Sequence, residues 1–270
     1  MYVFEGIKRM KCTVTAQVDV LRINTKEKSV EEIKDEVAVE KQLEVYINEK
    51  SYAIFSITPI QIKELVIGHF LTEGLIKSLE EIKNIKILGN KVYVNLEKPY
   101  PDIYEQSKIM LSACSEFSRI FNHLHTKRIN ERDKYDFRAV LKAVTILNSR
   151  AFIYRRTGGT HASVLLDNYG NVLAFSEDVN RHNAVDKVIG RAFLDGIETK
   201  KTLLASTGRL TRKIVNKVAQ VHIPVLVSIS APTYQGVKAA NKVGLTLIGF
   251  VRGRRLNVYT YPERLKGIMI

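Results

Sequence analysis

The sequence has no tryptophan and only two cysteines, Cys12 and Cys114, among its 270 residues. The two cysteines stand about a hundred residues apart and lack metal-ligand spacing, which excludes a disulfide framework and a cysteine-based zinc site. Such sparse cysteine is typical of proteins from a reducing compartment.

Long hydrophobic runs are also absent. No apolar stretch approaches the roughly 18 residues of a membrane span. Residues 1–11 lack the apolar segment of a secretory signal. We therefore expect no signal, no membrane partner and a cytoplasmic location.

Acidic residues are scarce at the C-terminal end. Residues 206–270 contain eleven Lys and Arg residues against the single acid Glu263, and so contribute +10 to a net charge of +14. Such a field attracts polyanions, which include nucleic acid, an acidic protein and a ligand carrying several phosphates. Composition alone does not choose among these three.

The first part of the chain has the apolar alternation of β-strands around one helix. A helix is predicted after Thr58, which caps it, with Pro59 at its first position. Strands are predicted at residues 11–23, 36–47, 52–57, 85–88 and 92–96. We therefore expect an α+β N-terminal half with an antiparallel sheet.

Residues 98–135 break this pattern with prolines, serines and charges of both signs. Loops of this length are functional or disordered in most proteins. Cys114 lies inside this stretch, with Arg119 nearby. A mobile loop with a nearby cation favours a reactive thiolate, and an inert loop cysteine is the alternative.

From residue 136 onwards, helices and strands alternate. A helix is predicted over residues 136–148, a strand over 151–154, a hairpin over 161–175 and a βαβαβ pattern over 202–260. The last strands are continuously apolar, as in sheets covered on both faces. The predicted fold class is therefore α/β, with a mixed, mainly parallel, three-layer sheet in the C-terminal half.

Three loops follow the consecutive strands of the βαβαβ pattern, and we call them the cradle loops: residues 206–209, 228–233 and 252–255. Ligands of such sheets bind beyond the carboxyl ends of the strands. Two of the loops offer hydroxyls and helix N-termini, and the third offers guanidinium groups, so the pattern predicts a phosphate or pyrophosphate site. The alternative is a pair of well-capped helices and a basic turn.

A second polar region runs from Glu177 to Gly190. Its first residues favour a loop, and its apolar residues then recur at helical spacing. We interpret it as a polar loop that feeds an amphipathic helix and converges on a ligand, or as a solvated helix start with local ion pairs. The turn at Gly158 and Gly159, after two arginines, also permits a close approach to an anion.

Taken in order, these motifs resemble the formate dehydrogenase accessory proteins of the FdhD family over nearly the full length of the chain. The stretches that carry the resemblance are residues 40–48, Thr58-Pro59, Glu64-Leu65, Gly68–Ile76, Gly158–Ala162, Glu177–Lys187, Gly208-Arg209, Ser230–Thr233, Gly249–Arg252 and Asn257–Tyr259.

The resemblance implies a sulfurtransferase that delivers sulfur to a molybdenum or tungsten cofactor. Such a protein takes sulfane sulfur from a cysteine desulfurase as a cysteine persulfide. It passes the sulfur to the molybdenum or tungsten bis(molybdopterin guanine dinucleotide) cofactor, which the formate dehydrogenase catalytic subunit requires. The resemblance also implies a homodimer, and guanosine diphosphate is the expected mimic of the cofactor.

The break in pattern divides the chain into three segments: residues 1–97, a mobile loop at 98–135 and a cofactor-binding domain at 136–270. The family's C-terminal half is similar to the cytidine deaminase fold. Zinc deaminases need a His-x-Glu motif and a cysteine pair. His161 is followed by Ala162 and Ser163, and no cysteine follows Cys114. Deaminase chemistry is therefore excluded, and we expect no intrinsic metal.

The resemblance assigns Cys114 and Phe250–Arg255 to the site, and the sequence patterns add the other candidates. The predicted persulfide cysteine is Cys114. We expect His161 and His182 to be hydrogen-bonded structural residues rather than metal ligands. The predicted cofactor-binding residues are Gly159, Thr160, His161, Asp178, Arg181, His182, Asn183, Asp186, Gly208, Arg209, Ser230, Pro232, Thr233, Phe250, Val251, Arg252, Gly253, Arg254 and Arg255.

One departure from the family pattern keeps other functions open. Many members carry a Cys-x-x-Cys pair, whereas here Phe117 takes the second position, so sulfur transfer would use a single persulfide. A cofactor-binding chaperone without sulfur chemistry is therefore an alternative. A nucleic-acid-binding protein is a second alternative, disfavoured because the basic segment lacks interleaved exposed aromatic residues.

Overall fold

The computed structural model describes residues 13–97, 128–130 and 133–267. Six α-helices lie within these ranges: α1 (Ile62–Thr72), α2 (Phe137–Arg150), α3 (Phe152–Thr157), α4 (Arg181–Leu194), α5 (Arg212–Gln220) and α6 (Tyr234–Val243).

The strands of the described ranges form four sheets. In chain order they are β1 (Thr15–Asn24), β2 (Ser29–Ala38), β3 (Lys41–Ile47), β4 (Lys50–Ile57), β5 (Ile82–Leu88), β6 (Lys91–Leu96), β7 (Tyr135–Asp136), β8 (His161–Asp167), β9 (Val172–Asp178), β10 (Thr202–Ser206), β11 (Val225–Ser228), β12 (Thr246–Arg252), β13 (Arg255–Thr260) and β14 (Leu265–Lys266).

The largest sheet has six strands in the order β13-β12-β11-β10-β8-β9. Strands β10, β11 and β12 are parallel, and the remaining pairs are antiparallel. The mixed sheet is therefore confirmed, but its parallel part is smaller than expected. Strands β8 and β9, like β12 and β13, are joined by short turns, which permit only antiparallel pairing.

Helices cover both faces of this sheet, as the apolar strands predicted. Helix α2 packs on one face through a cluster that includes Val140, Ala143 and Leu147. Helices α4, α5 and α6 cover the opposite face. The three-layer arrangement places the carboxyl ends of β10, β11 and β12 at one open edge.

The N-terminal half contributes a four-stranded sheet in the order β4-β3-β6-β5. Its β3–β6 pair is parallel, contrary to the all-antiparallel expectation, because α1 lies in the connection between β4 and the second hairpin. Buried side chains of this sheet and of α1 join those of α4, α5 and α6 in one hydrophobic cluster. Residues 98–127 lie outside the described ranges, and the division of the chain at 98–135 stays a prediction.

The sequence placed one strand over residues 36–47, where the structure has two. Strand β2 ends at Ala38 and pairs only with β1 in a separate two-stranded ribbon, whereas β3 begins at Lys41. The sequence pattern gave one strand because only two residues separate β2 from β3, and residues of both strands favour extended backbone.

Two helix starts also differ from the predictions. Helix α1 begins at Ile62 rather than at Pro59, because Gln61 takes a left-handed backbone conformation with φ 53°. Residues predicted as a strand at 151–154 instead begin α3. The buried carboxylate of Glu177 accepts hydrogen bonds from the backbone N–H groups of Ile153 and Tyr154, at 3.0 and 2.8 Å, and so caps this helix.

Helices α1 and α4 cross at two glycines. A Cβ atom on Gly68 would lie 1.8 Å from the carbonyl oxygen of Asp186, and one on Gly190 would lie 1.9 Å from that of Glu64. Each glycine therefore faces the backbone of the opposite helix. This contact joins the N-terminal half to the layer that covers the large sheet.

The close crossing predicts that one added methyl group at Gly190 strongly destabilises the fold. Gly190→Ala should lower the free energy of unfolding by about 3 kcal/mol or more, because the overlap is with rigid backbone. Gly196→Ala is the matched control: its φ of 68° costs about 1–2 kcal/mol, and no atom lies within 4 Å of its added Cβ. Urea denaturation measures both, and equal effects would contradict the close crossing.

Candidate functional site

The three cradle loops meet at the edge where β10, β11 and β12 end. The Ser230 hydroxyl donates to the Thr207 carbonyl oxygen at 2.8 Å, and the Ser228 hydroxyl donates to the Gly208 carbonyl oxygen at 2.7 Å. The Phe250 N–H, in β12 just before the third cradle loop, donates to the Ser230 carbonyl oxygen at 3.1 Å and so joins the end of β12 to the second loop. The first two loops and the end of β12, which leads into the third, therefore form one hydrogen-bonded surface.

The second cradle loop also closes onto the residues before α5. Leu210 N–H donates to the Ala231 carbonyl oxygen at 3.0 Å, and Thr233 N–H donates to the Leu210 carbonyl oxygen at 3.1 Å. Pro232 lies opposite Leu210 in this short parallel bridge. The Thr233 hydroxyl then caps α6 by accepting from Gly236 N–H at 3.1 Å. The starts of α5 and α6 are thus held side by side.

The third cradle loop is a basic turn between β12 and β13. Gly253 has a φ of 58°, a left-handed conformation that favours glycine, and Phe250 has a φ of 52°. Val251 is buried in the core, whereas the turn exposes its cations. The exposed arginines at this edge of the sheet are Arg209, Arg212, Arg252, Arg254 and Arg255.

Strand β8 brings a fourth segment to the same edge, because it runs antiparallel to β10. The His161 ring Nδ1 lies 3.2 Å from the Thr207 hydroxyl, which also accepts from Ala162 N–H at 3.1 Å. Burial and the nearby Arg181 charge lower the pKa of His161. Thr160 is buried and donates to Glu177 at 3.1 Å, while Gly159 is exposed beside it.

Helix α4 begins beside the cradle loops, as the sequence predicted. The Asn180 side chain accepts from His182 N–H at 2.9 Å and caps the helix. Arg181 lies against Gly208, where an added Cβ would come within 2.8 Å of the arginine Cβ. Gly208 therefore allows the first turn of α4 to approach the first cradle loop.

Asp178 and Asn183 are buried and bind other parts of the protein. The Asp178 carboxylate lies 2.6 Å from the Lys187 ammonium and accepts from Thr58 N–H at 3.1 Å and from the Asn183 amide at 3.0 Å. Asn183 also donates to the Ser56 carbonyl oxygen at 2.8 Å. Burial raises the pKa of Asp178, and the Lys187 charge opposes that rise.

Asp186 belongs to a group that we call the buried cluster, whose members contact one another between α1, α4 and α5. The Asp186 carboxylate accepts from the Thr72 hydroxyl at 2.8 Å and lies 3.3 Å from the His69 ring. Lys217 lies 2.9 Å from Asp186 and 2.8 Å from Glu73. The members of the buried cluster are His69, Thr72, Glu73, Asp186 and Lys217.

Charges within the buried cluster stabilise one another. Burial raises the pKa of Glu73, but the charges of Lys217 and His69 outweigh burial and lower that pKa to about 2. Burial lowers the pKa of Lys217, and Asp186 with Glu73 raises it by more. The sequence interpretation missed Lys217, although an isolated cation among the apolar residues Ile214, Val218 and Val221 was a usable signal.

His182 is buried one helical turn before Asp186. Its ring Nδ1 lies 3.2 Å from the Asn180 side-chain oxygen. Burial, together with the charges of Lys217, Lys213 and Arg181, lowers the pKa of His182 to about 3. The folded protein therefore holds a neutral imidazole next to a positive surface.

This lowered pKa predicts a pH-dependent stability. An unfolded histidine binds a proton near pH 6.5, whereas folded His182 does so near pH 3. The neutral His182 ring therefore costs the folded protein no stability above about pH 6.5. As the pH falls from about 6.5 towards 3, the unfolding free energy decreases by up to about 1.4 kcal/mol per pH unit, because only the unfolded chain binds the proton. His182→Gln should flatten the decline in unfolding free energy between pH 6 and 4, measured by urea denaturation. Parallel curves for variant and wild type would contradict the buried neutral ring.

One exposed aromatic residue lies within the basic segment, where the sequence interpretation expected none. Tyr234, the first residue of α6, is 68% exposed within the basic segment, and the Lys238 ammonium lies 4.6 Å from its ring centroid. Phe152 and Tyr154 of α3 are also exposed. Aromatic surface is therefore available for stacking near the start of α6.

An open cleft of about 450 Å³ lies beside Gly159 and Asn180. Ala38, Glu40 and Ser56 of the N-terminal half line its other walls. This volume falls within the range of small-molecule sites. The cleft differs from the cradle loops in carrying an acidic residue.

Cys12, Cys114, Phe117 and Arg119 lie outside the described residues. Within residues 13–97, 128–130 and 133–267, no group of three or more His, Cys, Asp and Glu side chains is arranged to hold a metal ion. Among the described helices, none is both long enough and apolar enough to span a membrane.

Sequence comparison identifies similar proteins across most of the chain. Residues 38–266 match the profile of the FdhD/NarQ family. The chain is 38% identical to the sulfur carrier protein FdhD of Saccharolobus solfataricus, over 86% of this chain and 91% of that protein. It is 30% identical to the sulfur carrier protein FdhD of Bacillus subtilis, over 95% of this chain and 100% of that protein.

Structural comparison gives a similar fold. The chain superimposes, with a TM-score of 0.77, on the crystal structure of a protein from Desulfotalea psychrophila provisionally assigned as a formate dehydrogenase accessory protein. The match covers 94% of this chain and 100% of that chain at 24% sequence identity.

Proposed function

The chain belongs to the FdhD/NarQ family, and from this premise we propose that it carries sulfur on Cys114 to a cofactor bound at the cradle loops. The sulfur donor is a cysteine desulfurase persulfide. The acceptor is the molybdenum or tungsten bis(molybdopterin guanine dinucleotide) cofactor, which is the cargo of the reaction. The client is the catalytic subunit of formate dehydrogenase.

The observation that carries the cofactor part of the proposal is the hydrogen-bonded surface of the cradle loops. It combines the starts of α5 and α6, several hydroxyls and the exposed Arg252, Arg254 and Arg255. Helix N-termini favour anions, and guanidinium groups bind phosphate in bidentate fashion. Two pyrophosphates per cofactor suit this surface better than a neutral ligand does.

The sulfur step is a thiol–disulfide-type exchange. The Cys114 thiolate attacks the sulfane sulfur of the donor persulfide, so that a new S–S bond forms on Cys114. The S–S bond of the donor breaks, and its cysteine leaves as a thiolate. Release of the carried sulfur as sulfide consumes two electrons, which two thiol equivalents supply as they form a disulfide, and Cys114 returns to the thiolate.

The described residues hold the cofactor side of this reaction. The exposed Arg252, Arg254 and Arg255 and the hydroxyl proton of Thr233 are available to an anion, while Thr207 and Ser230 hold the loops together and the Thr207 hydroxyl fixes neutral His161. Asp178, Asn183 and Asp186 act on the ligand through the placement of α4 rather than by direct contact. Assembly as a homodimer belongs to the same proposal.

The sulfur part predicts a specific mass change. Incubation of the chain with a cysteine desulfurase and cysteine should add one sulfur atom to the peptide that contains Cys114, detected by mass spectrometry under non-reducing conditions. Cys114→Ala should lose this adduct and fail to activate formate dehydrogenase, because no other nucleophile replaces the thiolate.

Cys12→Ala is the control, and it should keep the adduct and the activation. A wild-type chain without the adduct would favour the chaperone alternative, which the replacement of the second cysteine by Phe117 keeps in view. Full activation by Cys114→Ala would contradict sulfur transfer through this residue.

The cofactor part predicts nucleotide binding at the basic turn. Arg254→Ala/Arg255→Ala should weaken the affinity for guanosine diphosphate at least about tenfold, because charged hydrogen bonds contribute about 1.5–3 kcal/mol each. Arg22→Ala/Lys34→Ala removes the same charge from the β1–β2 ribbon and is the control. Calorimetric titration measures both, and equal losses would favour a general charge effect. Tight, salt-sensitive binding of oligonucleotides without binding of the nucleotide would instead favour a nucleic-acid-binding protein.

A further inference from the structure

One ammonium group joins three helices beneath the candidate site. Lys217 of α5 is 2% exposed, and its Nζ donates to Thr72 Oγ1 at 2.9 Å and to both carboxylate oxygens of Asp186 at 3.0 and 2.9 Å. The same nitrogen lies 2.8 Å from Glu73. Thr72 ends α1, Glu73 follows it, and Asp186 belongs to α4. The position of Lys217 therefore depends on all three helices.

The ion pair between Lys217 and Asp186 lies one helical turn away from the residues that border the cradle loops. Asp186 follows His182 by four residues in α4, and Lys217 follows Lys213 by four residues in α5. Residues four apart share one face of an α-helix. His182 and Lys213 therefore lie one turn closer to the cradle loops, above the ion pair. Lys213 and Lys217 both lower the pKa of His182, as two nearby cations must.

The ion pair adds directed polar contacts between two helix pairs that also share one hydrophobic cluster. Helix α4 packs mainly on α1, and α5 packs mainly on α6. Near the cradle loops, Arg181 at the start of α4 packs on Gly208, just before α5. One turn farther from the cradle loops, Lys217 of α5 binds Asp186 of α4. These two contacts join α4 to α5 and to the loop that precedes α5, at both ends of the α4–α5 approach.

Fold stability alone gives little reason for a charged group here. Replacement of buried ion pairs by apolar residues of similar volume is often neutral or stabilising. Directed hydrogen bonds from one ammonium to Thr72 and Asp186, with Glu73 at ion-pair distance, instead fix distances, which apolar packing does less strictly. The geometry thus favours a role in spacing over a role in stability.

We propose that Lys217 is a positioning residue of the candidate site: through Asp186 and Glu73 it sets the spacing between the first turns of α4 and α5, and thereby the affinity of the cradle loops for an anionic nucleotide. The proposal rests on the proposed function, because it assumes that the cradle loops bind a nucleotide diphosphate.

The test measures guanosine diphosphate affinity of the full chain by calorimetry, at low salt and at about 0.5 M salt, where screening acts over only a few ångströms. Lys217→Met should weaken binding about tenfold or more at both salt concentrations. Loss of a distant positive charge alone would weaken binding only at low salt. Lys242→Met removes an exposed lysine of α6 and is the matched control, expected to bind within about twofold of wild type at high salt.

Lys217→Arg is the second variant, because Lys217→Met leaves two buried carboxylates without their cation. Arginine keeps the charge but lengthens the side chain, so that a loss of affinity of about fivefold or more in the folded Lys217→Arg protein reports geometry rather than charge. Thermal unfolding of each variant gives stability separately, and binding is compared below every unfolding transition.

The outcomes separate the two proposals. Wild-type affinity in folded Lys217→Met or Lys217→Arg, together with a lowered melting temperature, would overturn the positioning role and leave the proposed function standing. Absence of nucleotide binding by the wild-type chain would instead overturn the proposed function. Weaker binding by both variants, with an unchanged Lys242→Met control, supports the positioning role.

Discussion

The backbone contact between α1 and α4 is the constraint on which the rest of the structure depends. Gly68 and Gly190 each leave room for a carbonyl group of the opposite helix. The two backbones therefore approach more closely than ordinary side-chain packing allows. Helix α4 covers the large sheet and begins at the site edge, so this crossing fixes the N-terminal half relative to the cradle loops.

Two buried charged groups flank that crossing, and they make it specific. The Asp178–Lys187 pair joins the β4–α1 connection to the start of α4, whereas the buried cluster joins the end of α1 to α4 and α5. Desolvation makes buried ion pairs a poor source of net stability. Their directed hydrogen bonds instead add fixed polar contacts on either side of the close glycine crossing.

Local patterns in the sequence predicted the parts that local patterns determine. The β8–β9 hairpin, the polar start of α4 and the three loops after β10, β11 and β12 all follow from alternation, capping and turn residues. The start of α3 does not, because Glu177 caps it from another strand. Lys217 gave a local signal as a cation among apolar residues, but its partners did not, because Thr72, Glu73 and Asp186 are distant in sequence and only the folded chain brings them together.

The pairing of acidic residues inside the protein also accounts for the positive potential at the sheet edge that carries the cradle loops. The polar run that begins at Glu177 contains three acids close to the cradle loops, and each is bound within the protein. Glu177 caps α3, Asp178 pairs with Lys187, and Asp186 pairs with Lys217. The exposed arginines of the basic turn therefore face solvent without these carboxylates beside them. A charge imbalance spread along the sequence thus becomes a positive surface at one edge of one sheet, which suits an anionic ligand.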